Sequence, residues 1–246
     1  MRRAAKHTAE EPILLPVPRF KQPDAVTCGP TCLTQVFGFH GLDVELAKVI
    51  ERTPKNPDGG TLAVFLGMTA LHYGFRPTLY SYNLRVFDPT WSTLPGAELQ
   101  EKLRQRACFV KSVKLKRATT AYHDFLVQGG RILFEDLTRD LLIRWLRQGH
   151  PILTGLSATY LYRIKRELGP DDDDIRGEPA GHFVVICGYY PKSDRFVIRD
   201  PSYHIPFSRS GQYSVRAERL ISAILLGDLT YDAVLLVLGN RTNLSA

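Results

Sequence analysis

The chain has 246 residues, 44% of them apolar and 23% charged. That is enough apolar content for a sizeable core, and the length fits one domain, or one domain with a large insertion, better than two. Lys and Arg outnumber Asp and Glu by 32 to 25, giving a net charge of +7; with no basic run interleaved with aromatics, this reads as solubility, and nucleic acid is not an expected partner.

In chain order, residues 1–12 read as a flexible polar tail. Ile13 to Val17 is apolar but short, is interrupted by Pro16 and follows Glu10 and Glu11, which does not make a signal peptide. No window comes near the roughly 18 apolar residues of a spanning helix, so no membrane span is expected and the expected setting is cytoplasmic. Residues 13–21 read as extended, held by Pro16, Pro18 and Pro23. A helix is expected over Cys28–Phe39, capped by Thr27 and ended by Gly41, with Pro30 in its first turn, where the missing N–H costs nothing. Two more are expected over Val44–Arg52 and Leu62–Tyr73, the second closed by Gly74, and a strand over Arg76–Tyr82.

Residues 83–130 give weaker signals. Glu98–Gln105 and Thr119–Gln128 read as helices and Cys108–Val110 as a short strand. Lys111, Lys114, Lys116 and Arg117 form the dense basic cluster of the chain and read as a solvated strand face. Asp140–Gln148 is an amphipathic helix with Leu141, Leu142, Trp145 and Leu146 on one face. After Pro151 the pattern turns to strands at Ile152–Leu156, Phe183–Tyr190, Arg195–Arg199 and Ala233–Leu238. A polar loop at Gly169–Gly181 carries Asp171 to Asp174, and a last helix is expected over Val215–Leu226. Helices first and a mostly antiparallel sheet afterwards make an α+β arrangement.

Four residues suggest chemistry. Cys28 opens a helix, where free N–H groups and the positive end of the dipole favour a thiolate. His182 starts an apolar strand and Asp200 ends the next one; a hairpin through Pro191–Asp194 would set the start of one beside the end of the other. An acid there fixes the imidazole tautomer and stabilises the imidazolium. Gln22, six residues before Cys28, can offer a side-chain N–H to a developing oxyanion. Each has a plain structural reading when taken alone. Of the other cysteines, Cys32 reads as packed core, and Cys108 and Cys187 as buried strand residues; no CxxC pair suggests zinc, and the sparse spacing does not suggest a disulfide framework.

Taken together, the cysteine at a helix start, the upstream glutamine and the distant histidine on a strand follow the papain-type order. The segments QPDAVTCGPTCLTQVFGFHG, GGTLAVFLGMTALHYGF and GHFVVICGYYPKSDRFVIRDPS resemble the bacteriocin-processing (double-glycine leader) cysteine peptidases. The resemblance implies a papain-like α+β fold, with an N-terminal helical lobe packed on a C-terminal antiparallel sheet. It maps nucleophile, base, orienting acid and oxyanion donor onto Cys28, His182, Asp200 and Gln22. It implies no metal and no organic cofactor, and a peptide or protein as substrate. It covers about residues 18–82 and 138–240. Residues 83–137 are then an insertion in a single domain spanning 13–246, and the transporter portion to which many members are fused is not in this sequence. An acyltransferase or transpeptidase on the same residues and a non-catalytic peptide-binding module stay open as alternatives, and the oligomeric state is not legible.

Overall fold

The computed structural model describes residues 11–57, 59–202, 205–206, 208–227 and 233–241. Residues 1–10 of the expected tail lie outside them. The first half holds β1 (Ile13–Leu14), α1 (Cys28–Phe39), α2 (Leu46–Arg52), α3 (Ala63–His72) and β2 (Arg76–Ser81), then α4 (Gly96–Phe109), α5 (Val113–Val127) and β3 (Arg131–Leu133). The second half holds α6 (Arg139–Arg147), β4 (Ile152–Ser157), α7 (Ala158–Tyr162), β5 (Glu167–Leu168), β6 (Asp171–Asp172), β7 (Gly181–Tyr190), β8 (Arg195–Arg199), β9 (Gln212–Arg216), α8 (Ala217–Leu225) and β10 (Val234–Gly239).

Helix α1 is buried from Cys28 to Phe37. Its threonines are satisfied within the helix, and Gln35 reaches outside it. Thr31 and Thr34 donate their hydroxyls to the carbonyls of Thr27 and Pro30 at 2.8 and 2.9 Å, and Gln35 Oε1 accepts from the Phe20 amide at 3.2 Å. Thr27 precedes the helix as expected, but its side chain makes no cap hydrogen bond; its hydroxyl turns back to the Asp24 carbonyl at 3.4 Å. Leu33 and Phe37 are fully buried, each contributing about 1.5–3 kcal/mol by leaving water.

The sheet runs β3-β2-β10-β4-β7-β8-β9, with β1 added on β7. Its pairings are antiparallel except β2 with β3, which is parallel. Side chains alternate across it. Phe183, Val185, Cys187, Val197 and Leu236 face the cluster built with α1, α3 and α5, whereas Val184, Ile186, Ile198 and Leu235 face the cluster built with α6 and α8. Covered on both faces, the central strands read as continuous apolar runs. The helical lobe packed on an antiparallel sheet is the expected papain-like α+β arrangement.

Four local expectations are corrected. Cys108–Val110 is not a strand: Cys108 lies in the last turn of α4 and is exposed. The basic cluster is not a strand face, since Lys114, Lys116 and Arg117 lie in the first turns of α5, which Ser112 caps by accepting from the Leu115 amide at 3.4 Å. Val215 ends β9 and only then does α8 begin. The loop expected over Gly169–Gly181 contains part of a two-stranded arm, β5 paired with β6.

Candidate active site

The start of α1 abuts the start of β7. The Cys32 thiol donates to the Phe183 carbonyl at 3.2 Å, and Gly29 lies against Phe183 and Leu66 so closely that a Cβ there would sit 3.3 and 3.2 Å from their side chains. Helix and strand therefore meet at the first residue after His182, with Cys28 one turn before Cys32. Asp200 follows β8 directly, and its amide donates to the Gly211 carbonyl at 2.8 Å, which fixes the carboxylate at the sheet's end.

These three side chains form a line. His182 Nε2 lies 3.0 Å from Asp200 Oδ1, and Cys28 lines the same cleft as the ring, near enough for its sulfur to help raise the imidazole pKa. With Nε2 taken, Nδ1 is the nitrogen left for the thiol. Asp200 is fully buried and His182 nearly so. Burial alone would push the imidazolium pKa down, but the Asp200 carboxylate and the Cys28 sulfur more than reverse this, and the His182 pKa is pushed up to about 10. Burial would raise the Asp200 pKa, yet the His182 charge and the hydrogen bonds to the carboxylate hold it below the usual carboxylate value.

Two of those hydrogen bonds had no sequence signal. The Tyr162 hydroxyl donates to Asp200 Oδ2 at 2.5 Å and the Tyr213 hydroxyl donates to the same oxygen at 2.7 Å; the Ser202 amide donates to Oδ1 at 2.9 Å. Tyr162 comes from α7 and Tyr213 from β9. Desolvation raises the pKa of both phenols, and the carboxylate raises it further, so both remain donors.

Gln22 is buried beside this line. Its backbone amide donates to the Pro201 carbonyl at 3.0 Å, which ties it to the residue after Asp200. Its Nε2 donates to the Asp24 carbonyl at 2.8 Å, which leaves the second N–H of the same nitrogen for another acceptor. The structure thus brings Cys28, His182 and Asp200 together directly and holds Gln22 to them through the backbone.

Cys28 and His182 open onto a cleft of about 770 Å3. One wall comes from the loop before α3, with Asn56 and Thr61; another from the β5–β6 arm, with Arg166 and Glu178; Lys114 of α5 completes the rim. The acidic run lies outside that lining, and its Asp173 accepts from the Ile175 and Arg176 amides within its own turn. Among the described residues no cluster of three or more His, Cys, Asp or Glu side chains is arranged to hold a metal ion, and no helix is long and apolar enough to cross a membrane.

The sequence profile of the Peptidase_C39 like family matches residues 14–215. No curated protein matches the chain. Among solved structures, a C39-like protein from Bacillus anthracis is 15% identical, with 95% of this chain and 100% of that one covered and a TM-score of 0.49. A double glycine motif protease from an AMS/PCAT transporter, solved with a leader peptide, is 16% identical over 94% of this chain and 98% of that one, with a TM-score of 0.45. Xylellain, a cysteine protease from Xylella fastidiosa, is 16% identical over 94% and 86%, with a TM-score of 0.47.

Proposed function

The chain belongs to the Peptidase_C39 like family, and on that premise we propose that it cleaves a peptide or amide bond with Cys28 as nucleophile, His182 as base and Asp200 as the acid that orients it. The observation that carries this reading is that Cys28 and His182 line one cleft while the His182 ring is held by Asp200 Oδ1 at 3.0 Å. In the resting state the Cys28 proton passes to His182, giving a thiolate beside an imidazolium that Asp200 stabilises. The thiolate attacks the carbonyl carbon, and the oxyanion takes a hydrogen bond from the Cys28 amide and one from the spare N–H of Gln22. His182 protonates the leaving amine as the C–N bond breaks, leaving a thioester on Cys28. Water, deprotonated by His182, attacks the thioester and releases the acid. No step calls on a metal or organic cofactor. Residues 13–246 act in this reading as one papain-like unit, with residues 83–137 as an insertion in it.

The test is alkylation with iodoacetamide across pH, read by mass spectrometry at each cysteine. Cys108, exposed on α4, serves as a reference thiol in the same tube. Cys28 should react fast well below pH 8 and slow in His182→Ala. If Cys28 in the wild type reacts no faster than Cys108 at any pH, the nucleophile assignment is wrong.

A further inference from the structure

Between Glu101 and Asp124 the chain holds seven Lys and Arg and no Asp or Glu. These residues make the hairpin of α4 and α5, whose open end is anchored in the core through Leu103, Tyr122 and Phe125. From Arg104 to Arg117 no residue is buried. At the tip, Phe109 and Val113 are each 82% exposed, with Lys111, Lys114 and Lys116 around them, all exposed. Side chains of this size left that open bury little apolar surface in the fold, and with a basic rim they offer a partner both apolar and charged contacts.

The tip is also continuous with the cleft that holds Cys28. Lys114 is part of the cleft wall. The Arg117 guanidinium donates to the Lys55 carbonyl at 2.6 Å and lies 5.3 Å from the centre of the Phe65 ring, which fixes the start of α5 against the loop that supplies Asn56 to the cleft.

We infer that the α4–α5 tip is an exosite for the same polypeptide that enters the cleft, and that it takes a substrate segment in which acidic residues flank large apolar ones. The apolar side chains of that segment cover Phe109 and Val113, and its carboxylates pair with Lys111, Lys114 and Lys116. This rests on the cleft being the site where substrate is cut, but its test reads binding and needs no turnover. The continuity with the cleft favours a peptide over a bilayer or a nucleic acid.

Fluorescein-labelled peptides of Glu and Leu, of Lys and Leu, and of Glu and Ser are titrated against full-length Cys28→Ala protein by anisotropy. The Glu–Leu peptide should bind best and weaken with salt. Phe109→Ser/Val113→Ser and Lys111→Glu/Lys116→Glu should each weaken it about tenfold or more. In wild-type protein, bound peptide should slow alkylation of Cys108, next to Phe109 on the tip, as well as of Cys28. The proposal is overturned if the three peptides bind alike, if both double variants bind as the parent does, or if Cys108 stays unprotected. It is equally overturned if phosphatidylserine vesicles or a single-stranded oligonucleotide bind the tip and the Glu–Leu peptide does not compete. An unreactive Cys28 with a protected Cys108 would sink the peptidase assignment and leave the binding site standing.

Discussion

The Tyr162 hydroxyl donates to Oδ2 of Asp200 at 2.5 Å, on the carboxylate oxygen that His182 does not touch. Tyr213 donates to that same oxygen, so one oxygen orients the imidazole while the other is pinned by two phenols. A buried carboxylate depends on such donors to stay ionised. Replacing Tyr162 by Phe keeps the ring and removes one charge-assisted hydrogen bond, worth about 1.5–3 kcal/mol. The Asp200 pKa then rises, and kcat/KM should fall about tenfold to a hundredfold, with the loss on the acid side setting in at higher pH. Tyr162→Phe/Tyr213→Phe, which leaves Oδ2 buried with neither phenol, should cost more than either single change. A pH profile of kcat/KM checks this; an unmoved acid limb in both single variants would mean that the phenols only fill space.

Gln22 carries a second expectation. Its Nε2 already donates to Asp24, so the amide is held in one orientation before any substrate arrives. Gln22→Ala should lower kcat by about 100–1,000-fold with KM little changed, as for loss of one oxyanion donor. Gln22→Glu should be no better, because a carboxylate cannot donate to the Asp24 carbonyl or to an oxyanion. Steady-state kinetics on one peptide substrate separate the two parameters; a rise in KM with kcat intact would assign Gln22 to ground-state binding.

Much of this was readable from local signals. The helix start at Cys28, the strand after Gly181 and the turn at Asp200–Pro201 are each set by neighbours in sequence, and the hairpin geometry then brings His182 to Asp200. The tyrosines were not readable, because Tyr162 stands 38 residues and Tyr213 stands 13 residues from Asp200 and they meet it only after α7 and β9 are in place. The 83–137 stretch failed for another reason. In α4 only Leu99 and Leu103 are buried, so its apolar period is too sparse to mark where the helix ends, and apolar Phe109 and Val110 imitated a strand. The parallel partner β3 was missed because three residues, Arg131–Leu133, give no alternation to read.

Gly29 tests how tightly the nucleophile's helix is held. A Cβ at this position would sit 2.7 Å from Thr61 Cγ2, with Leu66 and Phe183 close behind. Gly29→Ala therefore forces α1 away from β7 or rotates Thr61 into the cleft that it lines. Overpacking of this kind costs about 1–3 kcal/mol, which urea denaturation would report as a lower midpoint. Because Cys28 is the adjacent residue, alkylation of its thiol should slow as well. A variant as stable as the wild type, with Cys28 equally reactive, would show that Thr61 yields freely.

The His182 charge makes a prediction about stability against pH. The folded protein raises the imidazole pKa from its ordinary 6.5 to about 10, with burial opposing and the Asp200 carboxylate and Cys28 prevailing. The folded state thus holds this proton more tightly than the unfolded chain does. Its contribution to stability is whole below about pH 6.5, declines above it, and is lost as pH climbs through about 10. Asp200 acts in the opposite window: its lowered pKa stabilises the fold above the usual carboxylate value, and that stability is lost as pH falls below it. In His182→Gln the alkaline dependence should be missing, so the wild type's advantage over the variant should shrink between pH 7 and 10.5 in urea denaturation followed by tryptophan fluorescence. The acid dependence should weaken in the variant as well, because the His182 charge and hydrogen bond that most lower the Asp200 pKa are gone, leaving only the donors Tyr162, Tyr213 and Ser202. A wild-type protein whose advantage over His182→Gln is flat across that alkaline range would mean that the ring is neutral at pH 7, and that the proton shared with Cys28 rests on sulfur.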